Sequence, residues 1–276
     1  MKIAVLSGKG GTGKTTVSSS LAFISKMLLI DTDIEEPNSH IFLKGNIEDI
    51  KSVYTRFPEV NMEKCNLCGE CGNFCKFNAI IPAKKRVIVF GEACHDCGGC
   101  EIVCKNGAIS WEKREMGKIY TGKTHFNSIN KYGKLNIGEM SGVKIIKEIY
   151  KNTEEKNFLI DCPPGTACTT VSAVEVADFA IIVVEPSPFG LSDMKLVVQL
   201  LRDMKITFGV VINKFDEDEN IVKKYCDDEE IEIIGTIPFD RKIAETYSKG
   251  EIIAEALPEY RENFETILKR VKSYGN

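Results

Sequence analysis

The stretch GKGGTGKT, residues 8–15, follows the apolar run KIAVLS and precedes KTTVSSSLAFISK, which shares its final Lys14 and Thr15. Gly8, Gly13, Lys14 and Thr15 fit the spacing G-x-x-x-x-G-K-S/T of a phosphate loop. Glycines let backbone N–H groups curl around phosphate oxygens. The helix that follows points its positive end at them. Lys14 neutralises the β- and γ-phosphates, and Thr15 offers a hydroxyl to Mg²⁺. The cradle is expected to comprise Gly8, Lys9, Gly10, Gly11, Thr12, Gly13, Lys14, Thr15 and Thr16. A chain with this loop has to build strand, loop and helix in that order.

The rest of the sequence continues the rhythm. MLLIDTD (27–33) reads as a buried strand. NFLIDCP, FAIIVVEP, TFGVVINK and IEIIGTIP are near-continuous apolar runs between helical segments such as VKIIKEIYKN. Strands apolar on both faces, alternating with helices, predict an α/β fold: a mostly parallel sheet with helices on both faces. The rhythm lapses after Asp33. Residues 60–115 are cysteine-rich, with a short strand at RVIVF (86–90), and the polar, glycine-dotted stretch 116–136 resembles a surface connection. The expected organisation is one α/β domain, 1–59 with 116–276, carrying a small insert at 60–115. The 276 residues suffice for both. A net charge of −4 gives no general attraction to nucleic acid or anionic lipid. There is no apolar run long enough to span a membrane and no signal-peptide order at the N-terminus, so a cytoplasmic protein without membrane attachment is expected.

Lys9 is a second lysine within the loop. With it, KGGTGKT resembles the deviant Walker A loop of the MinD/ParA/nitrogenase-iron-protein class of P-loop ATPases. The resemblance implies a dimer, with itself or with a paralogue, in which Lys9 reaches the partner's nucleotide. It extends to DTDIEEPN, a first switch region. There it implies that Asp31 assists the Mg²⁺ shell through water, that Asp33 positions the attacking water and that Asn38 senses the γ-phosphate. FLIDCPPGT puts Asp161 at the end of a buried strand, where a Walker B carboxylate holds Mg²⁺ or its waters, and Gly165 in a second switch. Asn213 in VVINK and Pro238 in TIPFD fall where the class reads adenine. The implied catalytic residues are Lys9, Lys14 and Asp33. Asp216 completes an NKFD spacing like that of guanine-reading GTPases, so GTP stays open, although Lys9 favours ATP.

Of the eleven cysteines, eight lie between Cys65 and Cys104. In a reducing compartment they are not disulfides. Cys65, Cys68, Cys71 and Cys75 form C-x₂-C-x₂-C-x₃-C, and Cys94, Cys97, Cys100 and Cys104 repeat it at an offset of 29 residues. The sequence C-K-x-x-A-I follows each fourth cysteine. This duplication resembles the bacterial two-cluster ferredoxin, in which the fourth cysteine of each run serves the other cluster. The resemblance implies one 4Fe–4S cluster on Cys65, Cys68, Cys71 and Cys104, and another on Cys94, Cys97, Cys100 and Cys75. Zinc is the rival metal, but zinc tetrahedra use separated C-x₂-C pairs. Ferredoxins place proline after the fourth cysteine; here Lys76 and Lys105 stand there. Cys162, Cys168 and Cys226 are expected to be small buried residues.

Three functions follow from the combined resemblance to MinD-type ATPases with a ferredoxin insert. The first is ATP-gated electron transfer to an unidentified redox partner. The second is an iron–sulfur carrier or maturation factor; the bridging C-x-x-C of such carriers is not found after Cys104. The third is a redox-sensing positioning ATPase. In FETILKRVKSYG, Phe264, Ile267, Leu268 and Val271 share one face, a face expected to pack on the core rather than on a membrane.

Overall fold

The computed structural model describes residues 1–216 and 221–275. The chain opens with β1 (Lys2–Leu6), α1 (Lys14–Ser25), β2 (Leu28–Asp31), α2 (Ser39–Leu43) and β3 (Asn46–Val60). The cysteine region holds α3 (Glu70–Phe74), β4 (Ile80–Pro82), β5 (Val87–Val89) and α4 (Gly99–Ile102). Then come β6 (Ile109–Lys123), β7 (Ile129–Leu135), α5 (Val143–Lys151), β8 (Phe158–Asp161), α6 (Cys168–Val174), β9 (Phe179–Val184) and α7 (Pro188–Asp203). The chain closes with β10 (Thr207–Phe215), α8 (Ile221–Asp228), β11 (Ile233–Pro238), α9 (Arg241–Ser248), α10 (Ile253–Ala256) and α11 (Arg261–Ser273).

Nine strands form one sheet in the order β11-β10-β9-β1-β8-β2-β7-β6-β3, while β4 and β5 pair separately. The six pairs from β11 through to β7 are parallel. β2, β8 and β9 are buried at every position, as strands covered on both faces must be. The fold is the mostly parallel α/β sheet that the apolar runs predict. In α11, Phe264, Ile267, Leu268 and Val271 pack into the core with Leu21 and Ile234, so its apolar face is taken up inside the protein. No helix among the described residues is long and apolar enough to cross a membrane.

The chain forms two compact units. One comprises residues 1–50, 119–134 and 143–276; the other comprises 51–118 and 135–142. The cysteine region expected at 60–115 lies inside the second.

Two expectations fail. Residues 116–136 are not a surface connection but the second half of β6 and the whole of β7. The polar appearance misleads because some of its polar side chains are buried with partners. The Ser128 hydroxyl donates to the Lys26 and Met27 carbonyls, and the buried Lys131 ammonium donates to the Asn152 carbonyl at 3.0 Å. Likewise β3, fifteen residues long, fills part of the stretch after Asp33 where the rhythm seemed to lapse. Its first six residues are exposed, so hydrophobic patterning does not mark them.

In the second unit the sequence duplication reappears in the backbone. Leu67, Gly69 and Asn78 have positive φ, and so do Asp96, Gly98 and Gly107, at the offset of the cysteines. Gly69 and Gly98 cap α3 and α4 in the left-handed conformation. Gly99 is required for another reason: a Cβ there would sit 1.9 Å from the Phe74 ring.

Candidate functional site

The parallel register creates the nucleotide site. β1 and β8 pair Val5 with Asp161, and β2 and β8 pair Asp31 with Asp161. All three strands end where the phosphate loop begins, and two carboxylates therefore stand side by side. A cavity of about 440 Å³ opens there, within the size range of ligand sites. Gly10, Gly11, Gly13, Lys14, Thr15, Thr16, Asp33, Asn38, Asn213 and Pro238 line it. Gly13 is required twice over. Its φ is +94°, and a Cβ there would meet the Asn213 amide nitrogen at 2.2 Å. That amide donates to the Thr12 carbonyl at 2.7 Å, so the strand expected to read the base also braces the loop.

Asp31 is wholly buried and accepts backbone N–H bonds from Asp33, Asn38 and Ser39 at 2.9–3.0 Å. Its first effect is therefore to shape the loop between β2 and α2. The Thr15 hydroxyl donates to Asn38 Oδ1 at 2.9 Å, which leaves its oxygen lone pairs for a cation. Asp161 Oδ1 and Thr12 Oγ1 are buried without a hydrogen-bond partner. Such orphans are rare in native structures; beside a phosphate loop they are what an incoming magnesium shell and phosphate would satisfy. The residues fit a magnesium–nucleotide complex.

Burial, with Asp31 adjacent, pushes the Asp161 carboxyl up to about 7 despite Lys14. The same causes push Asp33 up to about 6. A stability effect follows. An unfolded aspartate titrates at its ordinary 3.8, so between that value and about 7 the folded chain retains a proton that the unfolded chain has released. Stability contributed by Asp161 is present below this window and is lost as pH rises through it. The melting temperature of nucleotide-free, magnesium-free protein is therefore expected to fall from pH 4 to pH 7 (about the window of these two values). Asp161→Asn is expected to flatten that fall while losing the gain in melting temperature on adding magnesium nucleotide. Thermal unfolding across pH checks both, and an unaltered pH profile in the variant would rule out Asp161 as the titrating group.

Gly8, Lys9, Thr12, Asp31 and Asp161 are not among the residues that line the cavity. A Cβ at Gly8 would meet the Asp193 backbone at 2.4 Å. Lys9 pairs with Glu185 at 3.5 Å. Gly165, at φ +81°, donates its N–H to the Ser7 carbonyl. Sequence reasoning missed Glu36, Lys214, Phe239, Ile243 and Tyr247, which also line the cavity. Ile243 and Tyr247 lie one turn apart on α9, and Phe239 stands just before its Asp240 cap; polar residues around them hide the pattern. Asp216 is not among the cavity-lining residues.

The cysteines gather in the second unit. Cys65, Cys68, Cys71 and Cys104 line one cavity, closed by Val60, Val87 and Ile109. Cys75 lies with the other set: burial pushes the Cys94 thiol up, and neighbouring Cys97 and Cys75 add to the effect. Burial, with Cys94 and Cys97 close by, raises Cys100 to about 11. The repeated Ala-Ile after each run now has a reason. Ala79 N–H donates to Cys75 Sγ at 3.4 Å and Ala108 N–H to Cys104 Sγ at 3.3 Å, while Ile80 and Ile109 form the small core with Cys100. Among the described residues no three His, Cys, Asp or Glu side chains converge as they would on a single ion. The first set lines a small cavity. His95 stacks on Phe77 at 3.8 Å. Cys68 and Cys97 are exposed. Cys162 and Cys226 are buried as expected, but Cys168 is exposed, because it opens α6 from a loop instead of ending a core strand.

Comparison with known proteins agrees with this geometry. MJ0579 of Methanocaldococcus jannaschii, an uncharacterized protein, is 34% identical over 261 residues, covering 91% of this chain and 90% of its own. An iron-sulfur cluster carrier protein of Pyrococcus furiosus is 26% identical over 311 residues, covering 99% of this chain and 88% of its own. The septum site-determining protein MinD of Pyrococcus horikoshii, solved with Mg-ADP, has a TM-score of 0.60 at 21% identity, over 98% of this chain and 95% of its own. Residues 3–253 match the model of the CobQ/CobB/MinD/ParA nucleotide binding domain. That span takes in the phosphate loop, both buried carboxylates and the strand that braces the loop, and the chain therefore belongs to the CobQ/CobB/MinD/ParA family of P-loop nucleotide-binding proteins.

Proposed function

We propose that this protein is an ATP-hydrolysing iron–sulfur protein in which nucleotide-dependent pairing of two protomers governs electron transfer through two 4Fe–4S clusters. The observation that carries the reading is the interleaving of the cysteine runs: Cys104 lines the cavity of Cys65, Cys68 and Cys71, and Cys75 neighbours Cys94. Eight thiols in that arrangement suit two cubane clusters.

At the nucleotide, Lys14 neutralises the β- and γ-phosphates and the loop N–H groups hold them. Thr15 and Asp161 would hold magnesium, with Asp31 keeping the adjoining loop in shape. When bound, magnesium neutralises charge developing on the phosphates. Asp33 orients the attacking water, and a carboxyl raised to about 6 is ionised near neutral pH while basic enough to accept a proton. Asn213 and Pro238 face the base. Lys9 acts on the partner's nucleotide. In the second unit, the cysteines would hold clusters that supply one-electron chemistry. The N–H groups of Ala79 and Ala108 stabilise the sulfurs of Cys75 and Cys104, and such bonds tune cluster potentials.

The reading is tested by potentiometric titration of anaerobic Asp33→Asn protein, with and without a non-hydrolysable ATP analogue. Nucleotide is expected to shift a cluster potential by tens of millivolts. A shift of about 100 mV corresponds to roughly 2.3 kcal/mol, within the usual range of allosteric coupling. The coupling is reciprocal, so cluster reduction must change analogue affinity by the same factor. Identical potentials, together with partner binding indifferent to nucleotide, would remove the reading.

A second reading, an iron–sulfur carrier, is favoured by relatives bearing that name and by the exposure of Cys68 and Cys97. Transfer of labelled iron and sulfide to an apo acceptor, with loss of cluster from this chain, would favour it.

A further inference from the structure

Strand register places three charged residues together. β1 and β9 pair Leu6 with Ile182, and β9 and β10 pair Val184 with Ile212. The chain ends just beyond these pairs carry Lys9, Glu185 and Lys214. The Lys9 ammonium lies 3.5 Å from one Glu185 carboxylate oxygen, and Lys214 pairs closely with the other. The backbones beneath are fixed: the Ser7 hydroxyl donates to the Lys9 carbonyl at 2.6 Å, and the Ser187 N–H donates to the Glu185 carbonyl at 2.8 Å. Burial opposes ionisation of Glu185, yet Lys214 and Lys9 hold its carboxyl below the usual range. Lys9 cannot occupy this contact and a partner's nucleotide site at once.

We propose that Glu185 is a positioning residue that retains Lys9 within its own protomer until nucleotide-driven pairing draws the lysine across. This rests on the pairing reading above. Lys214 makes the exchange feasible. When Lys9 leaves, the half-buried carboxylate keeps one cation and is not stranded, an outcome that would otherwise oppose release. Lys214 also lines the nucleotide cavity, so the occupant of that cavity bears on the same carboxylate. Both lysines are partly exposed, 36% and 46%. Partly exposed ion pairs are weak, so the contact biases the equilibrium and does not lock it.

The two ends of the contact predict opposite signs. With saturating non-hydrolysable ATP analogue, Glu185→Gln is expected to tighten dimerisation about tenfold, because two such contacts open per symmetric dimer. Lys214→Ala is expected to weaken it, because Glu185 then loses the cation that would remain when Lys9 leaves. A residue that merely supported the fold would loosen the dimer in both variants. Sedimentation velocity over a protein dilution series reads the constants, and equal or weaker dimerisation of Glu185→Gln overturns the proposal. The gain should vanish when Lys9→Ala is added; a gain that survives overturns it too. A second measurement does not depend on pairing. Amine-reactive labelling of the nucleotide-free protomer, read at Lys9 by mass spectrometry, is expected to rise several-fold in Glu185→Gln, and an unchanged rate overturns the contact. Raised labelling with no pairing in any variant instead removes the pairing reading, and with it the role assigned to Glu185.

Discussion

Lys14→Ala is expected to lower nucleotide affinity by about 30- to 4,000-fold, the loss of about 2–5 kcal/mol that follows when one member of a buried charge pair is truncated. Lys14 is only 8% exposed and lines the cavity at the start of α1. It is also the cation that opposes the raised titration of Asp33 and Asp161. Its removal acts twice. The β- and γ-phosphates lose their counter-ion, and the Asp31–Asp161 pair is left facing an anionic ligand without it. The carboxyls of Asp33 and Asp161 then titrate higher, so more of the site is protonated at neutral pH and magnesium competes with protons for Asp161. Calorimetric titration with ATP at pH 7 and pH 8.5 checks the two effects separately. The loss should be large at both values, and smaller at the higher one, where the carboxyl is free. Binding within a few-fold of wild type at both would show that the phosphates are held elsewhere. Lys9→Ala is the control: because Lys9 lies outside the cavity, it is expected to leave binding by the protomer near wild type while slowing hydrolysis.

What could be read from the residues divides along physical lines. The phosphate loop, Asp161 and Asn213 were legible because each sits at the end of an apolar run, and in a parallel sheet strand ends coincide. The same register argument places Glu185 beside Lys9, but it needs the strand order, and one sequence does not supply that. β3, β6 and β7 were illegible for a different reason. They carry lysines, serines and glycines where hydrophobic alternation is the signal. The burial of Lys131 depends on a carbonyl at Asn152, and that of Ser128 on carbonyls at Lys26 and Met27, all remote in sequence. The spacing of Ile243 and Tyr247 on α9 was present in the letters, yet nothing local says that they face a cavity instead of the core. The cysteine duplication was the most legible feature, because metal-binding spacing is local. Its backbone counterpart in the positive-φ residues within and after each run adds the reason that both copies turn alike.

Cys75→Ser and Cys104→Ser are expected to damage opposite clusters, each the one remote in sequence. Cys104 lines the cavity of Cys65, Cys68 and Cys71, so its replacement should remove the cluster of the first run. Cys75 neighbours Cys94, so its replacement should remove the cluster of the second. Anaerobic wild-type protein should hold about eight irons and eight sulfides, and each variant about half, since each serine leaves one complete set of four thiols. Which cluster survives is decided by pairing each variant with a serine in a first triplet. Cys75→Ser with Cys94→Ser should still hold one cluster, whereas Cys75→Ser with Cys65→Ser should lose both. The reverse pattern would mean that each run closes on its own cluster. Assembly also has a pH signature. Burial raises the thiols of Cys71, Cys94 and Cys100, the last to about 11. Ligation takes the thiolate, so assembly releases protons and reconstitution is expected to become more complete as pH rises from about 6.5 to 8.5. Stoichiometric zinc in protein prepared with iron and sulfide would defeat the assignment.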